Sequence, residues 1–300
     1  MRSEEEIIAL LREKFPKGVA DLGIGDDGAV FRDLVFTADL LVQDTHFTLE
    51  HPPFFLGRKS VAVNISDLAS MGAEPLFILM TLALPENLTE EWFDKFLNGV
   101  SSACEDWGCS LVGGDLSSSS KIYISVTAVG RAEKPVLRGK AREGDWIYLL
   151  GDLGLSRAGR EALQEKLPGF ESLKKAFLDP SPPVEQALKA SAIATSMIDV
   201  SDGFVLDLHR LLSGKGAILY PESFIPHSHL REFCKRKGAD PIEYMLYGGE
   251  DYAIVYTSPA EGPGRKVGKV EGGAIHFGER KLRVYGFNHF TGKIGKKVLT

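Results

Sequence analysis

The chain has 300 residues, 44% of them hydrophobic and 25% charged, and its net charge of −6 argues against a nucleic-acid surface as its main function. These are the proportions of an ordinary globular protein, and the length suits one large domain or two smaller ones. The charged segment 1–14 does not resemble a signal peptide, and no apolar run approaches the ~20 residues that span a bilayer. We therefore expect no membrane association. Three cysteines cannot form a disulfide framework, which favours a reducing cytoplasm.

The first half of the chain alternates between predicted helices and predicted strands. Apolar residues at helical spacing predict helices at 4–15, 57–72 and 90–107. Apolar or alternating runs predict strands at 34–39, 76–84, 110–115 and 122–129. The strand at 110–115 ends in two glycines and an aspartate, and we expect it to run into a turn there.

The second half begins after a polar and basic segment at 131–145, which we interpret as the domain boundary. We therefore expect an N-terminal domain of residues 1–135 and a C-terminal domain of residues 136–300. The predicted strands are 146–150, 197–199, 216–220, 252–256 and two short ones within 274–290, and the predicted helices lie between 152 and 178, at 184–194 and at 204–212. Since both halves mix strands and helices, the sequence predicts an α+β (mixed α/β) fold of two domains.

Acidic residues recur at the ends of the apolar runs, where strands stop and loops begin. They are Asp26, Asp27, Asp39, Asp67, Asp115, Asp199, Asp202, Glu250 and Asp251. Their neighbours are glycine, serine or small apolar residues, whereas surface acids usually lie among lysine, glutamate and glutamine. Like charges that pack together either take up protons or bind a cation. We therefore interpret these residues as one acidic cluster that needs a cation.

Several carboxylates beside glycines suit the handling of a polyphosphate through Mg²⁺, which prefers oxygen ligands. Phosphoryl transfer requires positioning and charge neutralisation more than covalent catalysis. The chain has neither a Walker A loop nor the protein-kinase signature set. If ATP binds, we expect carboxylate-held Mg²⁺ to carry most of its phosphate charge, with Arg138, Lys140 and Arg142 as candidates for the remainder.

Some residues keep a structural interpretation open. His46, beside Phe47, is either a packing histidine or a functional one. Asp44 either caps a turn or binds a ligand. The three cysteines lack the spacing of a zinc site, and we expect them to be packing residues.

Five motifs in order resemble those of the thiamine-monophosphate kinase family. They are Gly-Ile-Gly-Asp-Asp at 23–27, Asn-Ile-Ser-Asp-Leu-Ala-Ser-Met-Gly-Ala at 64–73, Gly-Gly-Asp at 113–115, Asp-Val-Ser-Asp-Gly at 199–203 and Tyr-Gly-Gly-Glu-Asp-Tyr at 247–252. The resemblance covers nearly the whole chain. The wider superfamily contains aminoimidazole ribonucleotide synthetase, selenophosphate synthetase and a hydrogenase maturation factor. The resemblance implies transfer of the γ-phosphoryl group of ATP to thiamine monophosphate, which gives thiamine diphosphate and ADP.

The resemblance also implies an aminoimidazole ribonucleotide synthetase-like architecture, in which the N-terminal sheet pairs with a second copy in a homodimer. The implied Mg²⁺ ligands are Asp27, Thr37, Asp39, Asp67, Asp115, Asp199 and Asp202. The implied ATP contacts are Gly114, Asp115, Arg138 and Ser201, and the implied contacts to thiamine monophosphate are His46, Glu250 and Phe287, with Phe290 as a rival to Phe287. A phosphate monoester is already an anionic nucleophile, so we expect direct in-line transfer with no phosphoenzyme.

Two alternatives stay open, another ATP-using enzyme of the superfamily and a non-enzymatic metal- or nucleotide-binding module. A selenophosphate synthetase would need a reactive cysteine or selenocysteine in an N-terminal glycine-rich segment, but the first cysteine is Cys104. A hydrogenase maturation factor would need a C-terminal cysteine, and this sequence ends in Thr300. A binding module would keep the carboxylates but would not need His46, Glu250 and an aromatic tail.

Overall fold

The structure, a computed structural model, describes residues 4–16 and 18–286, and its first half is built on a five-stranded sheet. The elements are α1 (Glu4–Lys14), β1 (Ala29–Phe31), β2 (Leu34–Val42), α2 (Pro53–Ser70), β3 (Glu74–Leu84), α3 (Glu90–Asp106), β4 (Ser110–Ser118) and β5 (Tyr123–Arg131). The strand order is β1-β2-β5-β3-β4. Strands β3 and β4 run parallel, and the other neighbours are antiparallel.

The second half is built on a seven-stranded sheet of order β12-β11-β8-β10-β6-β9-β7. Its elements are β6 (Trp146–Leu150), α4 (Leu155–Gln164), α5 (Glu171–Leu178), α6 (Val184–Ser191), β7 (Ser196–Asp199), α7 (Phe204–Leu212), β8 (Ala217–Leu219), a 3-10 turn (Pro221–Ser223), α8 (Ser228–Lys237), α9 (Pro241–Tyr247), β9 (Ile254–Ser258), β10 (Arg265–Val270), β11 (Ile275–Phe277) and β12 (Arg280–Lys281). Helices and strands mix in both halves, which confirms the predicted fold class. The predicted domain boundary at residue 135 falls between β5 and β6, and the division itself stays a prediction.

Helix α2 is buried along most of its length and contacts both halves of the molecule. Between residues 56 and 70, Arg58 and Asp67 are the two positions that are not buried. The helix packs on α3, β2 and β5 of the first half and on α6, β7 and β9 of the second. Its close approach to α3 requires glycine, because a Cβ at Gly99 would lie 1.9 Å from the carbonyl oxygen of Phe54.

Strand β4 forms one edge of the first sheet, and the turn that we predicted at its glycines is wrong. After a shift of register at Val112, the strand continues through Gly113, Gly114 and Asp115 to Ser118, because residues 113–118 pair with residues 79–84 of β3. Gly114 has no room for a side chain, since a Cβ there would lie 1.7 Å from the carbonyl oxygen of Met80. All nine residues of β4 are exposed.

Polar contacts join the two halves around α2. The Ser66 hydroxyl donates to Asp199 Oδ2 at 2.7 Å, and Arg58 Nε donates to Asp179 Oδ1 at 2.7 Å. These contacts bring the end of β7 and the end of α5 against α2. None of the helices in the described ranges is both long enough and apolar enough to cross a membrane.

Candidate active site

A cavity of about 670 Å³ lies between α2, the end of β2 and the loops of the second half. It gathers residues that are far apart in the sequence. Seven of the predicted site residues line it, namely Asp39, His46, Asp67, Asp199, Ser201, Asp202 and Glu250. The cavity therefore unites residues that the sequence analysis predicted as metal, nucleotide and acceptor contacts on separate segments.

Two serines of α2 hold carboxylates that arrive from other parts of the chain. The Ser66 hydroxyl donates to Asp199 Oδ2, and the Ser70 hydroxyl donates to Asp27 Oδ2, each at 2.7 Å. Asp67 lies between the two serines on the same helix. One helix therefore fixes the orientation of two carboxylates and contributes a third.

The surroundings of Asp67 are unfavourable for a charged carboxylate. Burial raises the pKa of Asp67 well above its usual range, and the charges of Asp39, Asp199 and Asp27 raise it further, although the Thr37 hydroxyl that donates to it acts in the opposite direction. Burial and the charge of Asp27 also raise the pKa of Asp199 well above its usual range. These four carboxylates must therefore carry protons or be neutralised by a cation.

The carboxylates fit a Mg²⁺ site that substrate phosphates would complete. Within residues 4–16 and 18–286, no three acidic, histidine or cysteine side chains converge into a preformed metal site. Mg²⁺ usually keeps several waters and is held by one or two carboxylates together with substrate phosphates. Mutually repelling carboxylate oxygens from β2, α2 and β7 have the chemistry that such an ion needs. Ligation by these residues stays a prediction.

The acidic loop at 23–28 folds against Arg138. Arg138 Nε donates to the carbonyl oxygen of Gly25 at 2.8 Å, and the backbone N–H of Arg138 donates to Asp26 Oδ2 at 3.1 Å. Its Nη1 lies 3.5 Å from Asp27 Oδ1. Burial and the neighbouring charge of Asp27 raise the pKa of Asp26 to about 7. Arg138 thus provides a positive charge beside the acidic pair, and its contact with ATP stays a prediction.

The loop that carries Ser201 and Asp202 is organised by Asp207, which our sequence analysis missed. Asp207 Oδ2 accepts the backbone N–H groups of Ser201 at 3.1 Å, Asp202 at 3.0 Å and Gly203 at 3.1 Å. Arg210 Nη1 donates to Asp207 Oδ1 at 2.8 Å and to Asp202 Oδ2 at 2.7 Å. A signal was present, because an acid in the first turn of a helix often binds the unpaired N–H groups that precede it.

The predicted acceptor residues His46 and Glu250 both line the cavity. The backbone N–H of Val42 donates to His46 Nδ1 at 2.9 Å, which fixes the orientation of the ring. Glu250 has a φ of 61°, an uncommon conformation for this residue type that is often found at functional sites. Phe287 and its rival Phe290 lie outside the described residues, so the aromatic contact stays a prediction.

Three cationic residues beside the acceptor positions were missed in the sequence. Lys59 of α2 is 1% exposed, and its Nζ lies 3.2 Å from Glu250 Oε1 and 4.0 Å from the centre of the Phe177 ring. Arg157 and Arg160 of α4 line the cavity. A lysine within an apolar helix gave no signal of a partner 191 residues away.

Gly114 and Asp115 lie apart from the cavity, on the exposed edge strand β4. The register across β3 and β5 places Asp115 in one row with Leu40 of β2. Because side chains alternate along a strand, Asp115 points to the face opposite that of Asp39. The two strands are three steps apart, roughly 14 Å at the usual spacing. Within one chain Asp115 does not join the other acids, and its roles stay predictions.

Two further acids have structural partners. Asp251, which we included in the acidic cluster, accepts the N–H groups of Gly154 at 2.6 Å and Ser156 at 3.1 Å, so it caps the start of α4. Asp44 lies at the surface, where its Oδ2 is 2.9 Å from Lys121 Nζ. These contacts account for both carboxylates without a ligand.

Comparison with known sequences places the chain among phosphate-handling enzymes. Residues 25–132 match the family model described as AIR synthase related protein, N-terminal domain. A thiamine-monophosphate kinase of Aquifex aeolicus (strain VF5) is 36% identical over 283 residues, which cover 89% of this chain and 92% of the relative. The thiamine-monophosphate kinase of Escherichia coli (strain K12) is 34% identical over 260 residues, which cover 80% of this chain and 77% of the relative.

Solved structures show the same architecture. The structure of AaThiL complexed with AMPPCP and TMP has a TM-score of 0.90 and 34% identity, and the match covers 97% of this chain and 99% of that one. A structure of the hydrogenase maturation protein HypE in complex with ATP has a TM-score of 0.69 at 18% identity. The second match covers 96% of both chains and supports the fold alone.

Proposed function

The chain belongs to the thiamine-monophosphate kinase family, and we propose that it transfers the γ-phosphoryl group of ATP to thiamine monophosphate, giving thiamine diphosphate and ADP. The observation that carries this proposal is the single cavity that unites the acids Asp67 and Asp199 with His46 and Glu250. The first pair suits metal-bound phosphates, and the second pair suits a cationic heterocycle. The related AaThiL structure holds AMPPCP and TMP, which supports both substrates.

On the nucleotide side, the carboxylates would hold several Mg²⁺ ions. The ligands that we propose are Asp27, Thr37, Asp39, Asp67, Asp199 and Asp202, with Asp115 kept from the family resemblance. When bound, Mg²⁺ would neutralise phosphate charge and align the two substrates. The chain contributes orientation, because Ser66 and Ser70 fix two of the carboxylates and Asp207 fixes the backbone at Ser201 and Asp202. Arg138 and Ser201, with Gly114 and Asp115, are the proposed ATP contacts.

On the acceptor side, Glu250 would face the positive charge of the thiazolium ring. The buried ammonium of Lys59 holds one oxygen of this carboxylate, and Glu250 lines the cavity. His46 would contact the same substrate from the end of β2, and we keep Phe287 as the proposed stacking residue.

We propose that transfer is direct and in line. The acceptor phosphate is already an anionic nucleophile at neutral pH and needs no strong general base. The main difficulty is the electrostatic repulsion between two polyanions. Bound metal ions and correctly oriented hydrogen-bond donors would reduce this repulsion. ATP with a chiral γ-phosphorus gives the decisive measurement. Inversion at phosphorus fits one displacement, whereas net retention, or labelled phosphate trapped on the protein without acceptor, would overturn this mechanism.

We also propose a homodimer that pairs the first sheets of two copies, and a cytoplasmic location. The dimer is supported by the fully exposed edge strand β4. The location is supported by Cys104, Cys109 and Cys234, which are buried and free of disulfides.

A coupled assay that follows ADP tests the function. We expect turnover with ATP, Mg²⁺ and thiamine monophosphate, loss of turnover with EDTA, and recovery on addition of excess Mg²⁺. An aminoimidazole ribonucleotide precursor is the matched alternative acceptor. Turnover with that precursor and none with thiamine monophosphate would replace the proposed function with another reaction of the superfamily.

A further inference from the structure

Two arginines of α4 line the same cavity as the buried acids. Arg157 and Arg160 lie three residues apart, so they occupy one side of the helix. Arg157 is held in place, because its Nε lies 3.2 Å from Glu161 Oε1 and its guanidinium carbon lies 4.3 Å from the centre of the Tyr244 ring. The helix itself is fixed at its start by the cap from Asp251.

Arg160 has no such support in the part of the chain that the structure describes. Its side chain makes no hydrogen bond or ion pair there, although it is half-buried. Burial lowers the pKa of Lys59, and the charge of Arg160 lies close enough to lower it further. Glu250 pairs with Lys59 and Glu161 pairs with Arg157, whereas Arg160 has no ion pair within residues 4–16 and 18–286. A half-buried cation without a counterion favours an anion in the cavity beside it.

We propose that Arg160, with Arg157 beside it, binds the phosphate oxygens of the acceptor, a phosphate monoester dianion. This inference rests on the proposed function and adds to it the groups that distinguish thiamine monophosphate from thiamine, which has a neutral hydroxyl in place of the phosphate. Both arginines share the cavity with His46 and Glu250, the proposed acceptor contacts. A guanidinium presents a planar set of donors that matches two phosphate oxygens at once, whereas a lysine ammonium does not.

The test compares thiamine monophosphate with thiamine, which differ in the phosphate. Wild type, R160Q and R160K are titrated with each ligand by calorimetry in the presence of Mg²⁺, and the KM values for thiamine monophosphate and ATP are measured separately. R231Q, at an exposed arginine of α8, is the matched control. Circular dichroism melts establish that each variant is folded, and R160K keeps the charge if R160Q does not fold.

We expect R160Q to weaken binding of thiamine monophosphate about ten- to a hundredfold, since a hydrogen bond to a charged group contributes about 1.5–3 kcal/mol. Thiamine binding and the KM for ATP should stay unchanged, R160K should recover part of the loss, and R231Q should match wild type. If R160Q prefers thiamine monophosphate over thiamine as strongly as wild type does, the role of Arg160 is overturned and the proposed function stays intact. A rise confined to the KM for ATP would also overturn this role, because it would show that Arg160 binds ATP and not the acceptor. No binding of thiamine monophosphate to wild type would overturn the proposed function itself, and this inference with it.

Discussion

Asp67 lies close to three other carboxylates, because burial and then the charges of Asp39, Asp199 and Asp27 raise its pKa. We expect D67N to lower kcat at least about a hundredfold, since the loss of a metal ligand removes several kcal/mol of transition-state stabilisation. In metal-free protein the same change should leave the free energy of unfolding unchanged or higher, because it removes a buried and repelled charge. Turnover assays and urea unfolding without metal measure the two effects.

D94N is the matched control for this prediction, since Asp94 lies exposed on α3. We expect it to retain wild-type turnover and stability. Near-normal turnover in D67N would exclude Asp67 as a metal ligand that matters to the reaction.

His51 makes the stability of the protein depend on pH. The residue is 4% exposed, its Nε2 lies 3.2 Å from the carbonyl oxygen of Leu178, and burial together with the charge of Lys59 lowers its pKa to about 4. The folded protein therefore resists a proton that the unfolded chain accepts below about pH 6.5. The stability contribution is complete above that pH and is lost as the pH falls towards 4. From about pH 7 to about pH 5 this group should lower the free energy of unfolding by about 2 kcal/mol.

Urea unfolding of wild type and H51Q at those two pH values measures the contribution. H51Q should lose this part of the pH dependence whatever its stability at neutral pH, whereas H229Q, at an exposed histidine, should keep it. Equal pH dependence in wild type and H51Q would contradict the prediction.

Sequence reasoning identified residues that share a motif and missed those defined by a distant partner. Asp27, Asp67 and Asp199 were recognisable because each follows or interrupts an apolar run next to small residues. Lys59 and Arg160 were not recognisable, because nothing local distinguishes them from a snorkelling lysine or a surface arginine. Their roles arise only where α2 and α4 meet the loop at 248–252.

At the scale of elements, the contact between α2 and α3 is one that only glycine permits. A Cβ at Gly99 would lie 1.9 Å from the backbone of Phe54, so G99A must push the helices apart. We expect G99A to lower the free energy of unfolding by about 3 kcal/mol, the upper part of the usual range for overpacking. G273A is the control, because nothing lies within 4 Å of a Cβ there. Urea unfolding that shows the same stability for both variants would contradict this account.

Hydrophobic periodicity failed for a helix that buries few apolar residues and for a strand that contains two consecutive glycines. Helix α8 buries only Leu230, Phe233 and Cys234 beneath a polar surface, so its apolar stripe is short. The glycines of β4 suggested a turn because glycine weakens a strand, yet the parallel partner β3 holds the whole segment extended. In both cases tertiary packing outweighed local preference.

At the scale of the molecule, the sequence predicted that both halves mix helices and strands. It did not predict the strand order of either sheet or the residues through which the halves contact each other. Apart from β11 and β12, the order of the second sheet separates strands that follow one another in the chain, and no periodicity encodes that order. The Ser66 and Asp199 pair joins residues 133 positions apart, so no local pattern encodes that contact.

The first sheet also leaves apolar surface that a second copy would cover. Leu111, Val112 and Leu116 of β4 are 45%, 58% and 70% exposed, and Leu40 and Leu79 on the open face are 49% and 40% exposed. A long exposed edge strand with apolar side chains is rarely left uncovered in a stable protein, because its unpaired backbone groups invite association. A symmetric pair of copies would cover both the edge and the open face in one step.

We therefore expect sedimentation at micromolar concentration to show a dimer of the 32.8 kDa chain, formed through β4 and the open face of the first sheet. L116K should shift the protein towards the monomer, because a charge at the centre of an apolar interface must be desolvated without a partner. The control is I225K, which alters a residue of similar exposure, 62%, in the second half and should remain dimeric. A wild-type monomer would contradict the dimer, and a dimer that resists L116K but dissociates in I225K would move the interface to the second half.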